Sequence, residues 1–306
     1  IIATPYIGLW RSRYAIQENP LVSIVIPTKD RYEFIGRCLN SIFRVSTYHN
    51  YELVIVDTGS TDPRVWKLYH DVKSQHQNIV IVKWNKTFNF AAVCNYGVEK
   101  SRGQYIILLN NDTEIISPNW IESMLEHAQR PDVGAVGAKL LYPDGRLQHA
   151  GVILGVGGGL EKGVAGHAFK YYPDTPHGGH LQMMHSIRNY SAVTAACLMI
   201  AKDKYQQVAG LDPRFRIAFN DVDFCLKLAK QGFANDYTPY AILYHYESVS
   251  VGTPKAGTRN IKEFGQEIEL MHRRWEDLLQ NDPFYNPNYT LEHENFSLRL
   301  NARDVI

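Results

Sequence analysis

Three short apolar runs in this chain each stop abruptly at oxygen-bearing side chains. Residues 22–26 run into Pro27-Thr28, residues 53–56 into Asp57, and residues 105–109 into Asn110-Asn111-Asp112. A run of four or five residues with little polar alternation suits a strand covered on both faces, and such strands belong to parallel sheets with helices on either side. The segments between them have helical period. Phe34, Ile35, Cys38, Leu39, Ile42 and Phe43 share one stripe, Glu33 lies in that helix's first turn where a carboxylate suits the dipole, and Pro63 suits the first position of a second helix. A strand at 79–83, a loop through Asn85 and a helix at about 91–100 complete the alternation before the run at 105. The prediction is an α/β fold with a Rossmann-like, mostly parallel central sheet, right-handed crossovers and flanking helices. Parallel strands end on the same side, so Thr28, Asp57, Asn111 and Asp112 gather at one crevice, where open α/β sheets bind ligands.

Downstream, Ser117-Pro118 reads as a cap and first-turn pair for a helix reaching about Gln129, followed by a strand at 133–139. Residues 140–190 change character. Gly155, Gly157, Gly158, Gly159, Gly163, Gly166, Gly178 and Gly179 punctuate them, which predicts long loops and short hairpin strands over the sheet, with His149, His167, His177, His180 and His185 as solvated loop residues in preference to a lining of the acceptor site. Trp120, Tyr142, Tyr171 and Tyr172 offer faces on which sugars stack, although core packing explains most aromatics. Residues 191–201 are small and apolar, the stretch from Phe219 to Leu228 opens a helix, a strand at 241–244 ends at His245, and an amphipathic helix spans about 260–279 before an asparagine-rich tail. Residues 1–20 read as a partly helical arm, and Asn95 and Gly97 as structural.

Composition narrows the function. The net charge is +1, from 32 basic and 31 acidic residues, so nucleic acid is not attracted by overall charge and any phosphate is held locally. Cys38, Cys94, Cys197 and Cys225 are widely spaced without a CxxC pair; buried free thiols and a reducing compartment are expected. No apolar run approaches the roughly 18 residues of a membrane span. A start at Ile1 suggests a segment excised from a longer polypeptide, and whether that polypeptide holds further domains is left open. Neither GxGxxG nor GxxxxGK[ST] is present, which disfavours a dinucleotide fold and a P-loop nucleotidase.

Taken in order, Val22-Ser-Ile-Val-Ile-Pro-Thr-Lys-Asp30, Leu53-Val-Ile-Val-Asp-Thr-Gly-Ser-Thr-Asp62, Leu108-Leu-Asn-Asn-Asp-Thr-Glu114, Phe219-Asn-Asp-Val-Asp-Phe-Cys-Leu-Lys-Leu228 and Leu243-Tyr-His-Tyr-Glu-Ser248 resemble inverting glycosyltransferase family 2, and the likeness covers about residues 21–250. The resemblance implies a GT-A fold: an arm (1–20), a nucleotide-sugar-binding half (21–139), a loop-rich acceptor-binding and catalytic half (140–255) and a C-terminal helix and tail (256–306). It implies that Pro27, Thr28 and Asp57 contact the nucleoside, with Asp30, Asn85 and Asn111 completing the donor set. Asn111 and Asp112 stand at the DxD-like position, with Asp112 as ligand of a divalent metal, His245 as a further ligand and Asp221 as the catalytic base. Two departures stand out: Asn110-Asn111 replaces acidic residues, and Asn220 replaces the Glu that often precedes the base.

The chemistry agrees with that assignment. Sugar transfer from a nucleoside diphosphate develops charge on the leaving phosphate, which Mg²⁺ or Mn²⁺ neutralises, and inversion needs one base for the acceptor hydroxyl. Uracil and thymine share the N3–H edge that Asp57 is suited to read, so UDP-sugars and dTDP-rhamnose are both open as donors. The expected acceptor is a glycan or lipid-linked glycan, and the expected location cytoplasmic, with peripheral association at the inner membrane face left open. Two alternatives remain at this stage: a nucleotidyltransferase, which would want a basic glycine-rich loop after the first strand, and a non-catalytic nucleotide- or carbohydrate-binding module.

Overall fold

The computed structural model describes residues 1–156, 163–246 and 261–299. Gly157, Gly158, Gly159, Glu247, Ser248, the expected helix start at Asn260 and the boundary at 255/256 lie outside the described residues. The chain opens with β1 (Ile2–Ala3) and β2 (Trp10–Arg11), then follows the expected alternation: β3 (Val22–Thr28), α1 (Tyr32–Val45), β4 (Tyr51–Asp57), α2 (Pro63–Gln75), β5 (Ile79–Lys83), α3 (Phe90–Lys100) and β6 (Tyr105–Leu109). After it come β7 (Thr113–Ile115), α4 (Trp120–Ala128), β8 (Val133–Leu141), β9 (Leu147–His149), β10 (Val152–Leu154), β11 (Ala165–His167), a 3₁₀ segment (His180–His185), β12 (Arg188–Tyr190), β13 (Cys197–Ala201), α5 (Lys202–Gln207), α6 (Asn220–Lys230), β14 (Ala234–His245) and α7 (Ile261–Gln280).

The main sheet runs in the order β12-β14-β8-β13-β6-β3-β4-β5. Strands β5, β4, β3 and β6 are parallel in register, with Thr28 opposite Asp57 and Asp57 opposite Lys83. β13 runs antiparallel between β6 and β8, while β14 is parallel to β8. Pleat explains why the runs are apolar throughout: Val22, Ile24, Ile26, Leu53 and Ile55 face α1, α2 and α4, whereas Val25, Val54 and Val56 face α3. Helix α3 packs so closely that a Cβ on Gly97 would lie 2.3 Å from Val25 Cγ1, and Asn95 ties the same helix to Leu211 N at 3.0 Å and to the Tyr205 hydroxyl. Both residues are structural, as expected.

Three expectations need correction. Residues 1–20 form a hairpin rather than a partial helix, because Pro5 and Gly8 (φ +78°) turn the chain and pair Ile2 with Arg11. Arg11 and Arg13 then fasten it to the fully buried Glu126 of α4. Helix α4 starts at Trp120 with Asn119 as its cap position, and Ser117 is drawn into the sheet instead, its Oγ accepting from Ile242 N at 2.8 Å. The final strand is twelve residues long, because Asn235 and Asp236 extend its pairing along β8 and β12, and polar residues there hide the strand pattern. The four cysteines are buried free thiols, as read from the sequence.

Candidate active site

The crevice at the carboxyl ends of β3, β4 and β6 is closed on its far side by the end of β14 and by the segment leading into β13. Asp57 ends β4 with 1% exposure; its Oδ1 accepts from Gly59 N (3.0 Å) and Ser60 N (2.8 Å) and its Oδ2 from the Tyr69 hydroxyl (3.0 Å). The carboxylate therefore shapes its own loop, leaving a lone pair on Oδ2. Asp30, at φ +51°, clamps that loop from the neighbouring turn: its N–H donates to Ser60 Oγ and its Oδ1 accepts from Thr61 N and Asp62 N. Pro27 is buried within β3, and Asn85 is exposed at the rim, just after Trp84 N has bonded Asp57 O at 2.7 Å.

Thr28 and Asn111 join the two strand ends directly, Asn111 Nδ2 donating to Thr28 Oγ1 at 2.9 Å. The next residue, Asp112, is 5% exposed, and its Oδ1 has no hydrogen-bond partner. His245, brought opposite by the pairing of β14 with β7, places Nε2 3.1 Å from that oxygen without the alignment of a hydrogen bond. Gln148 settles which ring nitrogen carries hydrogen. Its Nε2 donates to His245 O (3.3 Å), which orients the amide so that Oε1 accepts His245 Nδ1–H (2.6 Å). Nε2 is then the lone-pair atom; it accepts from Asn110 Nδ2 at 3.2 Å. A buried carboxylate oxygen without a hydrogen-bond partner, set beside an imidazole nitrogen, suits a cation held by both, with Asn110 giving up its bond to the ring. Among the described residues no cluster of three or more His, Cys, Asp or Glu stands ready for a metal, which leaves this pair as the candidate donor set. Two protein ligands suit a hard divalent ion that takes its other ligands from phosphate and water.

Asp221 sits in the first turn of α6, which starts sharply because Phe219 adopts φ +57°. Its Oδ2 accepts from Ala195 N at 3.1 Å, its Oδ1 from Val222 N at 2.9 Å, and Thr194 also bonds it. Burial nonetheless raises its pKa above the ordinary carboxylate range. Asp223 points away, into the core beside α7. The two halves meet through the main chain: Ala196, next to the amide that holds Asp221, accepts from Asn110 N at 3.0 Å. Thr28, Asp57, Asn111, Asp112 and His245 thereby share one end of the sheet, and Asp221 is tied to it through residues 195–196.

Sequence reasoning missed Gln148, Thr194 and the Ala195 amide, and saw Asn110 only as a substitution. A lone glutamine and a main-chain donor leave no local pattern. It also took the histidines of residues 140–190 as solvated, whereas His149 (0% exposed) and His185 (5%) are buried by the hairpins and the 3₁₀ segment folding over the sheet. His177 and His180 are exposed, as expected. Among the described residues no helix is long and apolar enough to cross a membrane.

Comparison with known proteins carries the same signature. Residues 23–173 match the model of "Glycosyl transferase family 2". The chain is 40% identical over 302 residues to "Uncharacterized protein y4gI" of Sinorhizobium fredii, covering 97% of this chain and 32% of that protein. It is 32% identical over 300 residues to the O-antigen biosynthesis protein RfbC of Myxococcus xanthus, covering 96% and 22%. The chain thus spans between about a fifth and a third of the length of these curated relatives. In fold it is similar to GalNAc-T7, solved with UDP, GalNAc and Mn²⁺ (TM-score 0.66, 16% identity, 87% of this chain and 50% of that one). It is also similar to the mannosyltransferase PcManGT of Pyrobaculum calidifontis, solved with GDP-Man and Mn²⁺ (TM-score 0.57, 13% identity, 89% and 76%). With its motifs, strand order and matched domain in agreement, residues 23–173 of the chain carry a glycosyl transferase family 2 domain, and the chain has the GT-A fold.

Proposed function

We propose that this chain transfers a sugar from a nucleoside diphosphate to a hydroxyl of a glycan or lipid-linked glycan acceptor, with inversion, in polysaccharide synthesis of the O-antigen kind. The observation that carries this reading is the orphaned Asp112 Oδ1 facing His245 Nε2 at 3.1 Å, tied through residues 110 and 195–196 to the partly buried Asp221. The name of the Myxococcus xanthus relative supports the polysaccharide context, and the Mn²⁺ in both structural neighbours supports a divalent ion.

Asp112 and His245 would hold Mg²⁺ or Mn²⁺, which, when bound, supplies charge neutralisation for the leaving diphosphate. Thr28 and Asn111 form the floor beneath the donor, and the loop shaped by Asp57 and Asp30 walls the base, with the free Oδ2 lone pair of Asp57 as acceptor for the N3–H of uracil or thymine. Pro27 and Asn85 border that pocket. Asp221 takes the acceptor hydroxyl's proton as its oxygen attacks the anomeric carbon and the bond from that carbon to the diphosphate oxygen breaks. Its pKa, raised by desolvation, makes it a stronger base than a free carboxylate. The proposed location is the cytoplasm, with the acceptor drawn from the inner membrane face.

A panel of UDP-, dTDP- and GDP-sugars, each tested with Mn²⁺ or Mg²⁺ for thermal shift and for release of nucleoside diphosphate, tests the reading. Metal-dependent release from one of them is expected. A thermal shift with no turnover on any acceptor or on water would instead favour the binding-module alternative, and release of pyrophosphate from a sugar phosphate and a nucleoside triphosphate would favour the nucleotidyltransferase.

A further inference from the structure

Strand β9 lies antiparallel to β8, with His149 opposite Leu140. Its last two residues are neighbours in the chain but turn to opposite sides, as strand residues do. Gln148 reaches His245 through the two hydrogen bonds described above, at 2.6 and 3.3 Å. His149 reaches the other half of the crevice. Its Nδ1–H donates to Ala138 O at 2.9 Å, which leaves Nε2 to accept Thr194 N–H at 3.2 Å. Thr194 and the following amide of Ala195 are the groups that hold Asp221. Neither residue lies in the matched strand-end motifs, and both are almost fully buried, at 3% and 0% exposure, away from bulk water.

We infer that Gln148 and His149 are paired positioning residues: Gln148 fixes the ring and tautomer of His245 for the cation, and His149 fixes the Thr194-Ala195 turn that aims Asp221. Partners behind a ligating histidine hold its orientation and raise its basicity, so Gln148 acts on metal affinity. His149 acts on the carboxylate, because the donors it steadies stabilise the charged form of Asp221. Burial lowers the His149 pKa to about 4, so its Nε2 stays an acceptor throughout the neutral range. The inference deepens the transfer reading given above and rests on it.

The two residues therefore predict opposite signatures from adjacent positions. Mn²⁺ is titrated into the protein saturated with UDP or dTDP, whichever raises its Tm, and kcat is followed against pH with the donor that the panel identifies. Gln148→Leu should weaken Mn²⁺ binding about 10–100-fold and leave the acidic limb of the pH profile in place, while Gln148→Glu, which keeps an acceptor for Nδ1–H, should recover the affinity. His149→Leu should leave Mn²⁺ affinity in place, lower kcat on the order of 10-fold and move the acidic limb to higher pH, since Asp221 loses support for its charge. His149→Gln, whose amide can still accept Thr194 N–H, should restore the limb. Exchanged signatures, or equal losses in both leucine variants tracking a fall in Tm without recovery in the conservative ones, would overturn the assignment and leave β9 as packing. Failure of the underlying reading looks different: full turnover by Asp221→Asn, or turnover indifferent to chelation, in protein with β9 intact.

Discussion

Asp112 Oδ1 and His245 Nε2 stand 3.1 Å apart with no hydrogen aligned between them, and Gln148 has already taken the ring's only N–H on the other side. Such a pair is suited to a cation. Chelation is therefore expected to abolish transfer and Mn²⁺ or Mg²⁺ to restore it, while Asp112→Asn should lower kcat/KM by about 100-fold or more. Activity measured after exhaustive dialysis against EDTA decides; full turnover there removes the cation from the site.

Asp221→Asn should retain donor binding and lose about 10²–10⁴-fold in kcat, as expected when a general base is removed. The wild-type rate should fall as pH drops through the raised pKa of Asp221, because the base must be ionised. Stability runs the other way. A folded-state pKa above the unfolded value means a contribution that is full below the unfolded value and lost as pH rises through the folded one. At neutral pH the buried charge is held at a cost, so the Asn variant should match or exceed the wild-type Tm while turning over poorly. A calorimetric scan at pH 7.5 showing a clear drop in Tm would contradict this.

Asp223 accepts from Trp275 Nε1 at 2.9 Å and pairs with Arg274, fastening α6 to α7 with its own side chain fully buried. Asp223→Ala leaves the Arg274 charge without this partner and should cost about 3–5 kcal/mol, measured by urea unfolding. Wild-type stability in that variant would show that α7 is held by its apolar face alone.

Gly97→Ala should destabilise the fold by about 1–3 kcal/mol, because the added methyl meets Val25 and Val56 at 2.3 and 2.9 Å and α3 must lift from the sheet. The readout is again the urea midpoint. No change would mean that the helix yields freely.

The parts of this molecule that were legible beforehand are those in which strand, turn and ligand are contiguous. The runs ending at Thr28, Asp57 and Asp112 announce both their burial and their polar ends, and the parallel crossover rule gathers them. What was hidden depends on distant pairing. β13 enters the sheet against its neighbours through contacts with Leu109 and Gly137, residues nearly 90 and 60 positions upstream, and no local pattern encodes that direction. Gln148 is invisible for the same reason: its partner, His245, is 97 residues away. Burial of His149 and His185 was misread because glycine-rich sequence signals turns but says nothing of what lies beneath them.

The reversed course of β13 has a consequence for how this protein tolerates change. A strand running with its neighbours would reach the crevice by its trailing end; β13 arrives by its leading end, and the group it offers Asp221 is the peptide amide of Ala195. A peptide amide persists through every replacement except proline. The main-chain part of the carboxylate's aim is thus written into chain direction rather than residue identity, which leaves only Thr194 and His149 as side chains on which that aim depends.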